Sequence, residues 1–175
     1  MIERIIEFIN TSWGTIAPFV IVDQFEKGVI LRFGKYHKNI LPGFNFKIPL
    51  IDSVHIVEAV QTTIRIQPQT LTTRDDMTIT TSAVLTYEIR DPRLFLLDVW
   101  EGREAVKDVA LAEIKKIVAR SNWIDLNNKL IETQITLEIR KQVKMYGVYV
   151  KRFGFADLAK IKTIRLITGT GEVWD

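Results

Sequence analysis

MTITTSAVLTYEIRDP, Met77 to Pro92, is the stretch on which the fold turns. Ile79, Thr81, Ala83, Leu85, Tyr87 and Ile89 recur at every second position, with mostly threonine and charge between them. Threonine at this density suits a pleated surface and little else, so the run reads as a long strand over Met77 to Arg90. Its clean alternation implies an antiparallel sheet with one wet or partner-facing side. At Asp91-Pro92 the period changes. Asp91 can cap a helix and Pro92 suits its first turn, which predicts a short helix over 93–98.

Helical spacing continues downstream. REAVKDVALAEIKKIVAR, Arg103 to Arg120, places Val106, Val109, Ala110, Ile114, Ile117 and Val118 on one stripe. A third helix follows the Asp125-Leu126-Asn127 cap region and runs to Tyr146, with Leu130, Ile131, Ile135, Ile139 and Val143 as its apolar face. Gly147 is its natural C′ residue. GVYVKRFGFADL and KIKTIRLI then read as two strands, and TGTGEVWD as a loose tail. Upstream, Val54, Ile56 and Val60 open a strand region. TTIRIQ alternates from Thr62, Pro68 breaks it, LTT resumes it, and Arg74-Asp75-Asp76 makes a turn. Further back, EKGVILRFGKYHKNILPGFNFKIPLID, Glu26 to Asp52, reads as two strands around the Pro42-Gly43 pair, with KYHKN as a basic loop. Strands and helices segregated along the chain make the class α+β: a mostly antiparallel twisted sheet with packed helices.

The amino end has a different character. Ile2, Ile5, Ile6, Ile9 and Trp13 fall at helical spacing with Phe8 beside them, an amphipathic pattern that runs into the Pro18-interrupted apolar run containing Phe19. A membrane-spanning helix needs roughly twenty mostly apolar residues. The longest charge-free run, Phe8 to Val22, has fifteen and includes Asn10, Thr11 and Ser12. Glu3 and Glu7 argue against a secretory signal. Two readings stand: the segment lies in a membrane interface with Trp13 at headgroup depth, or it packs on its own domain or a neighbouring copy. The scarcity of Lys and Arg on its polar face counts against lipid.

Composition bounds the chemistry. At 175 residues, with 47% apolar and 26% charged, the chain has the length and content of one globular domain with an appendage. It has no cysteine, which excludes disulfides, thiolate ligands and a cysteine nucleophile; His37 and His55 alone cannot furnish a multi-imidazole metal site. GTGE at 169–172 is too short and badly placed for a phosphate loop, and Asp75-Asp76 is turn chemistry. Neither histidine has a candidate nucleophile placed next to it, and no serine sits in a glycine-flanked elbow. No catalytic residue, cofactor site or metal site is therefore expected, and the protein reads as a non-enzyme.

Charge is distributed unevenly. Between Ile139 and Leu166 stand Arg140, Lys141, Lys144, Lys151, Arg152, Lys160, Lys162 and Arg165 against the lone acid Asp157, so this segment carries +7 within a chain of net +3. Such a flank faces solvent, a polyanion, an anionic lipid surface or an acidic patch on a sibling copy. Tyr146, Tyr149, Phe153 and Phe155 interleave it at alternating spacing, which favours sheet core over base stacking and makes nucleic acid an unlikely partner.

Taken in order, these pieces resemble the band-7 domain shared by stomatins, prohibitins and flotillins, the SPFH superfamily, and most nearly its stomatin branch. The likeness runs through VILRFGK, PGFNFKIPLID, LTTRDDMTI, AVLTYEIRDPRLFLLDV, EAVKDVALAEIKKIVARSNWIDL and YGVYVKRFGFADL, from about Val22 to Leu166. Tyr146 stands where the family usually has tryptophan. The resemblance implies an organisation of 1–21 as a membrane-associating segment, 22–167 as the SPFH domain and 168–175 as a tail. It implies a non-enzymatic scaffold on the cytosolic side of a membrane, assembling with itself into rings or cages and regulating a membrane protease or channel. A soluble structural subunit of a larger particle is the rival reading. On the membrane reading, Ile2, Ile5, Ile6, Phe8, Ile9, Trp13, Pro18 and Phe19 associate with lipid, and Phe44, Phe46, Ile48 and Leu50 touch it or pack inside. Palmitoylation is excluded without cysteine, and no sustained heptad is present, so assembly is expected to use domain contacts. Glu101, Glu104 and Asp108 against Arg140, Lys144, Lys151 and Arg152 of a neighbour are the candidate contacts.

Overall fold

The computed structural model describes residues 17–161. The chain forms β1 (Phe19–Val22), β2 (Glu26–Arg32), β3 (Lys35–Ile40), β4 (Gly43–Phe46), β5 (Asp52–Glu58), β6 (Thr62–Thr72) and β7 (Thr78–Ile89) before its helices. A short π-helix (Leu94–Asp98), α1 (Gly102–Val118), α2 (Trp123–Leu126), α3 (Lys129–Val143) and a 3-10 turn (Lys144–Tyr146) precede the last strand, β8 (Val148–Lys160). Among the described residues every strand pairing is antiparallel, in three sheets: β1-β4, β3-β2-β5 and β6-β7-β8. The α+β class expected from the sequence is the class observed.

The period-two reading of the central strand holds residue by residue. Ile79, Thr81, Ala83, Leu85, Tyr87 and Ile89 are all buried, while the intervening positions are half-buried or exposed. Beneath them lie Val106, Ala110, Ile114, Ile117 and Val118 of α1 and Ile135, Ile139 and Val143 of α3, one contiguous core that also takes in Phe95, Val150 and Phe153. Asp91 Oδ1 accepts from Arg93 N at 2.9 Å, so the aspartate caps the turn after β7 as its position predicts. Gly147 adopts φ 71°, and a Cβ there would meet Asp91 O at 2.4 Å. Both the left-handed turn and the close approach require glycine.

Three local expectations are overturned. Pro42-Gly43 is not the turn of a hairpin between the strands that flank it. Chain reversal after β2 occurs at Phe33-Gly34, KYHKN is strand β3, and β4 pairs with β1. Pro68 does not end a strand. β6 runs through it, and the ladder to β7 shifts register between Ile66 and Gln69, a bulge that accommodates the missing donor. Leu130 is 72% exposed and lies off the buried face of α3, where Thr136 is buried instead. GVYVKRFGFADL is a strand as expected, within β8 to Lys160, and nearly all of KIKTIRLI lies outside the described residues.

Helix α3 also closes the outer edge of β8. Glu132 Oε1 accepts from Phe155 N at 3.0 Å, Thr136 Oγ1 accepts from Phe153 N at 3.2 Å, and Arg140 Nε donates to Val150 O at 2.9 Å. Residues i, i+4 and i+8 serve because four helical residues rise about 6 Å, close to the two-residue strand step of about 6.6 Å from Phe155 to Phe153; the three-residue step to Val150 spans the register shift in the β7-β8 ladder. An edge that would otherwise invite another strand is thereby satisfied within the chain.

Candidate functional site

Strands β1 to β5 build a small unit whose outward side is apolar. In the β1-β4 ribbon Phe19 lies opposite Phe46 and Ile21 opposite Phe44, and cross-strand partners share a face. That face is exposed: Phe19 38%, Ile21 66%, Phe44 70% and Phe46 59%. The Phe19 and Phe44 rings stack at 5.2 Å between centroids. The opposite face of the ribbon supplies Val20 and Val22, which pack on Ile30, Ile40 and Val54 of the β3-β2-β5 sheet. The far side of that sheet meets the rest of the molecule, where Arg93 lies over the Tyr36 ring at 4.7 Å and Val57 joins the main core. The aromatic face therefore points away from the body of the protein.

One end of this unit gathers further apolar groups. Phe33, 75% exposed at φ 51°, forms the β2-β3 turn with Gly34 at φ 74°. Leu50, 89% exposed at φ 70°, forms the tip of the β4-β5 loop. Phe33 N donates to Ile51 O at 2.9 Å and Lys47 N to Pro18 O at 2.9 Å, which stitches both tips to the start of β1. Paired positive φ angles define a primed hairpin turn, in which Asn-Gly is preferred. A bulky apolar residue there is a conformational outlier. Two such outliers side by side, both presenting apolar side chains to solvent, are a feature that core packing does not explain.

Asp52 fixes this tip. Its side chain is wholly inaccessible and accepts from Arg32 Nε at 2.8 Å, Arg32 Nη2 at 3.1 Å and Ile48 N at 2.8 Å. The Arg32 hydrogen bonds, aided by the Ile48 N–H, hold its carboxyl at about 2, well below the ordinary 3.8. Basic residues flank the tip. Lys35 pairs with Arg32 and Lys38 with Ile30 across the ladder, which puts both on the ribbon side of the sheet, and Lys47 follows β4. Arg32, Lys35, Lys38 and Lys47 thus outnumber Asp52 here, whereas at the opposite end Asp23, Glu26 and Glu58 stand against Lys27 and Arg103, the last 3.8 Å from Glu58.

The sequence-predicted site residues are partly brought together. Pro18 and Phe19 lie at the tip with Phe46 and Ile48; Ile2, Ile5, Ile6, Phe8, Ile9 and Trp13 lie outside the described residues. Glu101, Glu104 and Asp108 stand at the start of α1 beside Trp100, which is 89% exposed; Glu104 already pairs with Lys107 at 2.6 Å. On the other flank, Arg140 lies over the Tyr149 ring at 4.5 Å, and Lys151 pairs with Glu88 at 2.8 Å. Lys151 and then Arg90 hold the Glu88 carboxyl below its ordinary range. Arg140, Lys151 and Arg152 line a groove of about 360 Å³ between α3 and β8, with Leu137 and Phe153 in its wall. Phe33, Ile21 and Trp100 were not singled out by sequence, because an isolated large apolar residue in a strand-rich chain reads as core.

Asp75 settles its own role. Its Oδ1 accepts from Thr73 Oγ1 and, across 48 residues, from Trp123 N at 3.2 Å. Thr73 first, then the Trp123 N–H, hold its carboxyl below the ordinary range. It joins the β6-β7 turn to the first turn of α2. Among the described residues no cluster of His, Asp and Glu has the makings of a metal site, and no helix is long and apolar enough to cross a membrane.

Comparison with known proteins converges on the family suggested by the motifs. An uncharacterized protein of Archaeoglobus fulgidus is 24% identical over 149 residues, covering 84% of this chain and 60% of the relative. Protein HflK of Treponema pallidum is 23% identical over 181 residues, 91% of this chain and 54% of its own length. Stomatin-like protein stl-1 of Caenorhabditis elegans is 27% identical over 152 residues, 85% of this chain and 46% of its own. The chain thus spans about half the length of these relatives. Residues 20–164, which take in the helices and, apart from Phe19, all three sheets, match the SPFH domain / Band 7 family, and the chain belongs to it.

Proposed function

We propose that the protein is a membrane-associated, non-enzymatic scaffold that attaches through the apolar tip and ribbon face and assembles with copies of itself. The observation that carries this reading is the exposed face of Phe19, Ile21, Phe44 and Phe46, continued at one end by Phe33 and Leu50. A contiguous apolar surface aimed away from the body of a domain is an interaction surface. Its chain entry point, Pro18, continues the apolar segment that holds Ile5, Ile9 and Trp13, so segment and face belong to one anchoring region. The family relationship, including similarity to HflK and to a stomatin-like protein, supports the same reading.

Flotation of the full chain with vesicles tests it. The wild type is expected to rise with lipid, and both Phe44→Ser with Phe46→Ser and Ile5→Glu with Ile9→Glu to reduce that fraction several-fold while circular dichroism stays unchanged. A wild-type protein that remains at the bottom of the gradient overturns the reading and favours the soluble-particle subunit.

Assembly follows from two opposed flanks. Trp100 with Glu101, Glu104 and Asp108 offers an aromatic anchor in an acidic setting, and the α3-β8 groove offers Arg140, Lys151 and Arg152 beside Leu137 and Phe153, with Lys144 in the turn that follows α3. Because the two surfaces differ, their contact is head-to-tail, a geometry that closes into rings or runs on as a filament. Regulation of a membrane protease or channel, with the domain on the cytosolic side, is the finer role we assign on family grounds.

A further inference from the structure

We propose that the tip recognises an anionic lipid surface: Phe33 and Leu50 enter the acyl boundary while Lys35, Lys38 and Lys47 meet acidic headgroups. This deepens the membrane reading above and rests on it. Three independent features converge. Phe33 and Leu50 occupy left-handed backbone positions at which small polar residues are preferred, yet both present large apolar side chains to solvent. Lys35 and Lys38 sit on the ribbon side of the β3-β2-β5 sheet, the side from which the aromatic face points outward, and Lys47 is one residue from Phe46. Charge along the small unit is also polarised, with acids Asp23, Glu26 and Glu58 at the end remote from the tip. A neutral surface would exploit only the first feature. An anionic one attracts the tip, repels the opposite end and so fixes the orientation of the domain.

Rigidity makes the tip suited to this. Arg32 and Asp52 form a two-toothed ion pair that also captures Ile48 N, so both turns are held before any lipid arrives. Arg32 is committed to that pair, and Lys35 and Lys38, both exposed on β3, are placed to read headgroups beside Lys47. Each lysine close to an acidic membrane contributes about fivefold in partitioning, so three contribute roughly 100-fold. The attraction decays within a Debye length, about 10 Å at 0.1 M salt and about 3 Å at 1 M, and the preference collapses accordingly.

Co-sedimentation of the full chain with vesicles of phosphatidylcholine alone, and of phosphatidylcholine with about one-third phosphatidylserine, tests the proposal. The expected result is roughly 100-fold tighter binding to the acidic vesicles at low salt. Lys35→Gln, Lys38→Gln and Lys47→Gln combined should erase that difference and leave neutral binding as it was. Phe33→Asn with Leu50→Asn should weaken binding to both, without loss of folding, since asparagine suits both backbone positions. Equal binding of the wild type to the two vesicles, or an acidic preference that survives the triple lysine change, overturns the inference while the membrane reading stands. Binding to neither vesicle overturns both.

Discussion

Phe33 concentrates the tension between stability and use. In a primed turn a non-glycine residue at positive φ costs about 1 kcal/mol or more, and asparagine bears that conformation best. Phe33→Asn is therefore expected to stabilise the isolated protein by about 0.5–1 kcal/mol, read as a higher denaturation midpoint, although it removes a large side chain. A midpoint that falls would mean that Phe33 packs on something it needs. Asp52 sets the acid limit of the same tip. Its folded carboxyl releases its proton at about 2 and an unperturbed one at 3.8, so the Arg32 pair contributes stability above pH 3.8 that is lost as pH falls towards about 2. Denaturation followed from pH 5 to 2 should show this loss in the wild type, and Asp52→Asn, less stable at neutral pH, should show a shallower decline.

At the scale of elements, the α3 clamp on β8 is the part most open to test. Thr136 Oγ1 donates to Glu132 O at 2.7 Å and accepts from the buried Phe153 N, so Thr136→Val leaves that N–H without a partner. Loss of about 1–3 kcal/mol is expected, with faster exchange of the Phe153 amide. Unchanged exchange would show that the edge is protected by burial alone. This clamp was invisible in the sequence, where Thr136 is only a polar residue between Ile135 and Leu137. The core strand and α1 were legible because each has a single strong period and one buried face. The amino-terminal hairpins were not, for a physical reason. KYHKN has no apolar partner at alternate positions because β3 is an edge strand with an exposed face, and Phe33-Gly34 announces its turn only through glycine. Pro42-Gly43 is the stronger turn signal but begins a strand that pairs elsewhere. Phe44 and Phe46 were legible as an alternating pair; that their face is outward depends on the pairing of β4 with β1, which no local pattern encodes.

For the whole molecule, the proposed pairing of the two flanks would impose a direction on assembly. A copy that presents Trp100 and its acids to the α3-β8 groove of the next leaves its own groove free for another, so contacts propagate and either close or run on. All copies must also point their tips to one plane if that plane is a membrane, which removes open helical arrangements and favours closed rings lying flat. In such a ring many weak tips would act together, and attachment would grow far beyond that of one copy. The contact itself has a direct test. Trp100 is a large aromatic at 89% exposure beside the acidic start of α1, the kind of residue that dominates protein interfaces, and Trp100→Ala should weaken self-association about 30-fold with no change in stability. In the proposed contact, charge would supply the specificity. Asp108→Lys or Lys144→Asp alone should each weaken assembly about fivefold, and the two together should recover part of it, because the exchanged pair is again of opposite sign. Sedimentation velocity at low salt reads all four proteins. Recovery in the double variant locates the contact between the two flanks; two independent losses that simply add would place the interface elsewhere on the domain.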